Sequence, residues 1–426
     1  MYRGCPIVEN LQCAIISLDS VLRLQLKGDV GSSLWPRVWG WFEFIEMHRD
    51  YLSAADIPLV PEADTYCTFM AFISVFRGHP ATYDLMSTTP QFWTAIVKAW
   101  SLAPQMDDAA GEVAEAERSV VLHIVAEFLV ASDASPDSRI LAEMIEAAGS
   151  IDHLARLVLE FIRVTITQPL PASATPASYL NNLLFFAMRA GVSRDKESDM
   201  TRRRLIFVLC ELDLHRELLS VILFLCDCAD PRTWAVLGQC VRLMRYIVTL
   251  SRPNMWLDAL LQRGLLRALI LVTQRADINH DEVEAKLREP LRAFLHDIAS
   301  GLVYYHPMVA FEKAFKEAQG SISPDTFKDH PLSADWKDFL SSAHELLGVL
   351  EDFQSPSFHT SKACDNLQCG SIDETNAMAG RCAGCHAFYY CSQECQKTDW
   401  RVGHRNFCAS HQGLLLGKPE LPREPT

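Results

Sequence analysis

Seven of the fourteen cysteines in this 426-residue chain lie within residues 364–408. With His404 they form four pairs, Cys-x4-Cys, Cys-x2-Cys, Cys-x3-Cys and His-x3-Cys. Eight nitrogen and sulfur ligands are the number that two closed tetrahedral zinc sites require. The spacing predicts two structural Zn²⁺ ions held by these residues: Cys364, Cys369, Cys382, Cys385, Cys391, Cys395, His404 and Cys408. The other seven cysteines are scattered, and we predict that they are buried reduced thiols.

The clustered cysteines have three alternatives to zinc binding: haem attachment, disulfide bonds and iron–sulfur ligation. Cys382, Cys385 and His386 match the Cys-x-x-Cys-His pattern of c-type haem attachment, but that use leaves the neighbouring cysteines without a role. Disulfides would leave one of seven cysteines unpaired, and an N-terminus without a secretory pattern indicates a reducing compartment. Iron–sulfur ligation stays open on ligand type, although short paired spacings favour zinc. His386 and His411 are alternatives to His404, but neither lies three residues before a cysteine.

The segment 361–411 needs metal in order to fold. Its apolar anchors are few: Phe388, Tyr389, Tyr390, Trp400, Val402 and Phe407. So small a core does not offset the chain entropy of about 50 residues, whereas each structural zinc ion contributes roughly 10–16 kcal/mol. We expect Ser392 to cap a short helix and Gly403 to end it. Such a helix places Gln396 and Trp400 on one face.

Residues 382–408, CAGCHAFYYCSQECQKTDWRVGHRNFC, resemble the MYND zinc finger. The shared features are Cys-x2-Cys, an aromatic residue before Cys391, the Cys395-Gln396 pair, the Asp399-Trp400 pair and His-x3-Cys. The first cysteine pair departs from this pattern, because four residues separate its cysteines where two are commoner. The resemblance covers about an eighth of the chain.

The resemblance also implies a pairing of ligands that the spacing alone does not give. One zinc would be held by Cys364, Cys369, Cys391 and Cys395, and the other by Cys382, Cys385, His404 and Cys408. The resemblance further implies that the finger binds short proline-rich peptides in a shallow groove. Gln396 and Trp400 match positions that line this groove in MYND fingers. Ala383 stands where some relatives have a serine that contacts the peptide. The alternative for Trp400 is a place in the core of the finger.

The residues before the finger predict an all-α fold, a helical array. Amphipathic periodicity typical of helices runs through 34–52, 90–103, 115–132, 137–148, 151–167, 176–190, 201–212, 214–227, 232–250, 254–263, 265–275, 281–300 and 335–352. Strand-like alternation is scarce. The short breaks between these stretches indicate paired helices that stack as a solenoid.

A weak internal repeat supports the solenoid. One predicted helix ends at Gly149 and another at Gly264, and apolar residues follow each glycine at the second, fifth and eighth positions. This pattern resembles the turn between the long helices of armadillo repeats, and the interval corresponds to nearly three repeats of about 40 residues. A non-repetitive helical domain is the alternative.

We predict four segments: a helical domain over 1–352, a linker over 353–361, a zinc finger over 362–411 and a tail over 412–426. The tail contains Pro419-Glu-Leu-Pro422. Peptides bound by MYND fingers are often Pro-x-Leu-x-Pro, and here Arg423 takes the last place. Binding of the tail to its own finger is a hypothesis.

No constellation of residues typical of catalysis is found in the sequence. It lacks the Asn-His-Ser-Cys stretch of SET methyltransferases, a Gly-rich phosphate loop, His-Glu-x-x-His and Gly-x-Ser-x-Gly. We predict a non-enzymatic, zinc-binding adaptor whose finger binds proline-rich segments of partner proteins. The alternative is a cryptic, SET-less enzyme, a methyltransferase-like regulator with the finger as a structural accessory.

Charge and hydropathy predict that neither nucleic acid nor membrane is a partner. The chain carries a formal net charge of −14. With two zinc ions and their thiolates the finger carries about −3, the wrong sign for phosphate contacts. The longest apolar run, LLSVILFLC at 218–226, is far shorter than the roughly 20 residues that span a bilayer. We expect the protein in the cytoplasm or nucleus, where thiols stay reduced.

Overall fold

The computed structural model of the chain describes residues 30–54, 62–76, 80–103, 112–131, 138–167, 175–189, 196–228, 230, 232–250, 255–275, 287–318, 332–355, 362–373, 380–386, 388–406 and 408. The chain forms two compact units, Met1–Leu346 and Leu347–Thr426. The predicted limits of the linker, the finger and the tail stay predictions.

Within its described residues, the first unit contains helices and no strand, which confirms the all-α prediction. The helices are α1 (Val30–Ala54), α2 (Glu62–Phe76), α3 (Pro80–Thr88), α4 (Phe92–Leu102), α5 (Glu112–Ala131), α6 (Ser138–Ala148), α7 (Ile151–Thr167), α8 (Pro176–Arg189), α9 (Lys196–Glu211), α10 (Leu214–Cys226), α11 (Thr233–Leu250), α12 (Met255–Gln262), α13 (Leu265–Arg275), α14 (Glu289–Gly301), α15 (Tyr305–Ala318) and α16 (Ser333–Gln354). None of the described helices is long and apolar enough to cross a bilayer.

Three of these helices, α2, α3 and α15, lie outside the predicted amphipathic stretches. Helix α2 buries side chains around most of its circumference: Tyr66, Cys67, Phe69, Met70, Phe72, Ile73 and Phe76. A helix covered on several sides has no single apolar stripe, so its periodicity is weak. Helices α3 and α15 carry prolines in their first turns, Pro80 and Pro307, where the missing N–H is tolerated.

Five helices form one continuous layer of the first unit. Helix α2 packs on α5, α5 on α8, α8 on α11, and α11 on α14. Side-chain amides join successive helices: Asn182 Nδ2 donates to the Ala126 carbonyl at 3.1 Å, and Gln239 Nε2 donates to Asn181 Oδ1 at 3.0 Å. Successive helices of this layer therefore come from successive repeats of the chain, as in a solenoid.

A left-handed residue marks the turn between the first two helices of each repeat. These residues are Gln91, Gly149, Asp213 and Gly264, with φ of 62°, 80°, 73° and 94°. They precede α4, α7, α10 and α13, so each repeat holds three helices rather than the predicted two. Gly149 and Gly264 are two repeats apart, not nearly three as predicted, because Asp213 makes the intervening turn without a glycine.

Neighbouring turns and helices are also joined by polar contacts. Arg263, next to Gly264, donates from Nη1 to Asp213 Oδ1 at 2.7 Å and so ties one turn to the preceding one. Arg263 also lowers the pKa of Asp213 through this hydrogen bond. The ion pair is partly exposed, so it fixes the register of the repeats more than it adds stability.

The described scattered cysteines of this unit are free thiols. Cys67, Cys210 and Cys240 are buried, and Cys226 and Cys228 are half-buried. Burial raises the pKa of Cys210 to about 12. All five are free thiols, and the predicted burial is confirmed for the first three. The remaining two of the seven, at positions 5 and 13, lie outside the described residues.

We predict that Gly264→Ala destabilises the protein by about 1 kcal/mol, because alanine must adopt a left-handed conformation there. Urea denaturation of the full chain, followed by far-UV circular dichroism, measures the change. Gly40→Ala is the matched control, since Gly40 lies inside α1 at an ordinary φ with open space around it. The control should gain up to about 1 kcal/mol. Equal stability of the two variants would contradict the assigned role of Gly264.

Candidate metal centre

In the part of the chain that the structure describes, the second unit contains the end of α16, two short hairpins and one further helix. Strand β1 (Lys362–Ala363) pairs with β2 (Ile372–Asp373), and β3 (Gly380–Arg381) pairs with β4 (Tyr389–Tyr390), both antiparallel. Helix α17 (Gln393–Asp399) follows β4 and continues as a π-helical turn, Trp400–His404. Asp365 N–H donates to the Tyr389 carbonyl at 2.8 Å, which ties the two hairpins together.

The structure brings the eight predicted ligands together as two groups of four. The first group is Cys364, Cys369, Cys391 and Cys395, and the second is Cys382, Cys385, His404 and Cys408. Within each group all ligand atoms lie within 4.8 Å of one another. The ligands therefore alternate along the chain, since each group takes one pair from a hairpin and one pair from the segment around α17.

The spacing of the ligand atoms fits a single zinc ion in each group. The Sγ atoms of Cys369 and Cys391 are 3.4 Å apart, and those of Cys382 and Cys408 are 3.8 Å apart. A tetrahedron with Zn–S bonds of about 2.3 Å has sulfur atoms about 3.8 Å apart. A disulfide would need about 2.05 Å, and a multi-iron cluster would hold its thiolates on separate irons, farther apart. The two sets of donors are thus two Zn²⁺ sites.

The first cysteine pair accommodates its two additional residues by turning them outward. Cys369 N–H donates to the Asn366 carbonyl at 2.8 Å, while the Asn366 side chain is buried and accepts from Gln368 N–H at 3.2 Å. Leu367 is 95% exposed. The departure from the commoner two-residue spacing therefore leaves the two sulfur atoms in place.

Glycine is required in the turn of the second pair. A Cβ atom at Gly384 would lie 2.8 Å from the Cys408 Sγ atom, inside the ligand set. The turn closes through His386 N–H, which donates to the Cys382 carbonyl at 2.9 Å. The His386 side chain is exposed and belongs to neither ligand group, while His411 lies outside the described residues.

A buried hydrogen-bond chain orients the histidine ligand. His404 Nε2 faces Cys385 Sγ at 3.5 Å, while Nδ1 lies 3.0 Å from the Tyr390 hydroxyl. Tyr390 in turn donates to Asp399 Oδ2 at 2.6 Å. The hydroxyl therefore accepts from Nδ1–H, which leaves Nε2 as the free lone pair for the metal. Burial, together with the hydrogen bond to Asp399, raises the pKa of Tyr390, so this hydroxyl keeps its proton.

Comparison with known proteins agrees with this geometry. The family model described as MYND finger matches residues 364–408, from the first ligand to the last.

These residues form a MYND finger.

Curated relatives match only short stretches of the chain. The protein described as programmed cell death protein 2 of Bos taurus is 50% identical over 34 residues, which is 8% of this chain and 10% of that protein. The MYND-type zinc finger protein samB of Emericella nidulans is 37% identical over 49 residues, 12% of this chain and 8% of that protein. The chain thus spans about a tenth or less of these relatives. No solved structure matches.

The ligands are also the core of the MYND finger. Its buried cluster consists of Tyr390 and four cysteines, with Phe388 packed against them: Cys364, Cys382, Cys385 and Cys408. Phe388 meets the His404 ring edge-on at a centroid distance of 4.3 Å. Val402, one of the predicted apolar anchors, is instead 68% exposed. Metal bonds, rather than apolar packing, hold this fold together.

Because the thiols of each site lie close together, some of their pKa values are raised and others are lowered. Hydrogen bonds from Ser392 and Cys391 lower the pKa of Cys395 to about 7, whereas hydrogen bonds to Cys395 and Cys369 raise the pKa of Cys391 to about 12. In the second site, burial and the neighbouring Cys382 thiol raise the pKa of Cys408 to about 12. A divalent cation removes this conflict, since it stabilises every thiolate of a set at once.

Ser392 caps α17 as predicted, and Gly403 does not end the helix. The Ser392 hydroxyl accepts from Cys395 N–H at 3.2 Å. Gly403 lies inside the π-helical turn instead, and His404 follows it into the second zinc site. A glycine at this place predicts the end of a helix. The helix continues here because His404, the next residue, is a ligand of the second zinc site.

Trp400 and Gln396 lie one helical turn apart at the surface of the MYND finger. The Trp400 N–H donates to the Gln396 carbonyl, so both residues belong to the same helical segment. The Trp400 side chain is 43% exposed and its ring lies 5.6 Å from that of His404. Gln396 is half-buried. Trp400 is therefore a surface residue supported from below by a zinc ligand, not a core residue.

Sequence reasoning missed the partners that orient the ligands. From the sequence, Tyr390 is predicted only as an apolar anchor and as the aromatic residue before Cys391, and Asp399 only as part of the Asp-Trp pair. The signals were present, since a tyrosine directly before a ligand and a carboxylate five residues before the histidine are placed to form a hydrogen-bond chain.

We predict that Gly384→Ala lowers zinc affinity at the second site at least tenfold, because the methyl group would displace the Cys408 thiolate. Competition with a chromophoric chelator measures the affinity, and elemental analysis measures the zinc content. Gly403→Ala is the matched control: nothing lies within 4 Å of its added Cβ, and it should keep both ions. Loss of zinc from the control alone would refute this role for Gly384.

Tyr390→Phe should weaken zinc binding about 10- to 100-fold at the second site and leave the first site unchanged. Phenylalanine keeps the ring in the core but removes the hydroxyl between His404 and Asp399. Chelator competition resolves the two sites as two phases. If both phases stay as in the wild type, the hydrogen-bond chain does not support the ligand.

Proposed function

We propose that this protein is a zinc-dependent adaptor whose MYND finger binds short proline-rich segments of partner proteins. The MYND finger is a protein-interaction domain. The observation that carries the finer proposal is the exposed Trp400 ring, fixed one turn after Gln396 on a helix that both zinc sites anchor.

The chemistry of the Trp400 face suits a proline-rich ligand. Proline packs well on a flat aromatic ring, and an extended polyproline helix costs little entropy to immobilise. That helix has no internal hydrogen bonds, so its carbonyls are free to accept. In this proposal the Gln396 amide and the Trp400 indole N–H donate hydrogen bonds to those carbonyls.

The metal ions serve structure in this proposal. Each site has four protein donors, so a tetrahedral zinc ion keeps no open position for water or substrate. The ions anchor α17 at both ends: Cys391 and Cys395 bind at its start, and His404 binds directly after it. We therefore propose an adaptor rather than a methyltransferase-like enzyme. We also propose the cytoplasm or nucleus as its place, since seven thiolate ligands need a reducing compartment.

Trp400→Ala should reduce binding of proline-rich peptides at least tenfold, since a tryptophan at the centre of an interface contributes 2 kcal/mol or more, roughly a 30-fold change. The full chain is screened against an array of synthetic proline-rich peptides, and hits are measured by fluorescence anisotropy. Zinc content is measured in parallel and should stay at two ions.

Val402→Ala is the matched control for this substitution. Val402 is 68% exposed and lies two residues after Trp400 in the same helical turn. Residues two apart do not face each other on a helix, so truncation of Val402 should leave peptide affinity unchanged. If Trp400→Ala keeps both zinc ions and full peptide affinity, the proposed binding face is wrong.

A further inference from the structure

The tail after the MYND finger has a proline pattern that the proposed function does not use. Its prolines, Pro419, Pro422 and Pro425, recur at intervals of three residues. A polyproline II helix has three residues per turn, so these three rings would form one continuous edge. Each of the other two edges carries one acidic and one basic residue, Glu420 with Arg423 and Glu424 with Lys418, so the tail has no net charge.

Basic side chains border the Trp400 face of the finger, although one of them, Lys397, is paired with Glu394 at 3.0 Å. Lys397, Arg401 and Arg405 follow one another at intervals of four residues along α17 and the turn after it, and all three are exposed. Residues four apart form a stripe on a helix surface. This basic stripe lies beside the Gln396–Trp400 stripe, so an aromatic surface is bordered by positive charge.

The connecting chain is long enough to reach that face. Ten residues, 409–418, separate the last ligand, Cys408, from Pro419, which makes eleven residue-to-residue steps. Their maximal span is about 36 Å, at about 3.3 Å per residue. The helical segment from Gln393 to His404 is about 18 Å long, at 1.5 Å per residue. The linker can therefore place the proline edge anywhere along the helix that carries Trp400.

We infer that residues 418–425 bind as a polyproline helix to the Trp400 face of their own MYND finger and compete with partner peptides. The prolines pack on the Trp400 ring, and the glutamate on the edge next to the basic stripe faces that stripe. This inference rests on the proposed function, because it assigns an intramolecular occupant to the same face. The tail is then an autoinhibitory ligand that a partner must displace.

The expected effect follows from tethering. A segment held this close to its site has an effective concentration of about 1 mM. If the tail alone binds with a dissociation constant of about 0.1 mM, it occupies its own finger about ten times more often than not. Partner peptides then bind about tenfold more weakly than to a finger whose tail cannot compete.

The experiment uses the full chain and a fluorescein-labelled synthetic copy of residues 415–426, with fluorescence anisotropy as the readout. The triple variant Pro419→Ala, Pro422→Ala, Pro425→Ala should bind this peptide about tenfold more tightly than the wild type does. Adding Trp400→Ala to the triple variant should abolish the gain. The control Leu414→Ala, Leu415→Ala, Leu416→Ala changes as many tail residues, keeps the prolines and should bind as the wild type does.

Four outcomes decide the inference. Tighter binding by the proline variant alone, lost with Trp400→Ala, supports it. Equal affinity of the wild type and the proline variant overturns it, as does an equal gain in the leucine control. Failure of the proline variant to bind the tail copy, while it binds other proline-rich peptides through Trp400, overturns this inference and leaves the proposed function standing. Failure to bind any proline-rich peptide overturns both.

Discussion

The bonds between zinc and seven thiolates are the interaction on which the second unit depends. Its buried cluster is made largely of the ligands themselves, and Tyr390 and Phe388 add only a thin apolar layer. A segment with so little apolar area cannot offset its chain entropy. The alternation of ligands also means that each ion joins a hairpin to the segment around α17, so neither half of the MYND finger is complete alone.

The first unit is stabilised by a different means, the repetition of one packing arrangement. Each helix of the α2–α5–α8–α11–α14 layer packs on its neighbours in the layer, and a left-handed turn before α4, α7, α10 and α13 reverses the chain at the same point of each repeat. Stability in such an array comes from nearest-neighbour interfaces. Contacts such as Arg263 with Asp213 fix the register between repeats.

The sequence predicted most of the ligand chemistry and much of the helical fold, for reasons that particular residues show. The eight ligands are recognisable from the sequence because zinc binds a few residue types at short spacings. Their assignment to two separate zinc ions depended on the resemblance to MYND fingers. Helix α2 was missed because it is buried on several sides and has no polar face. The repeat length was wrong because Gln91 and Asp213 adopt a left-handed conformation that residue type does not announce. At Gln91 and Asp213, tertiary contacts override the backbone conformation that the residue type prefers.

Metal binding and the position of Trp400 depend on the same helical segment. Trp400 lies between Cys395, a ligand of the first site, and His404, a ligand of the second, and its ring rests against His404. The π-helical turn that contains Trp400 is wider than an α-helical one, and single turns of this kind are frequent at functional sites. Here the turn carries His404 into the buried site while Trp400 stays at the surface. The same distortion that completes the second metal site therefore exposes the aromatic ring.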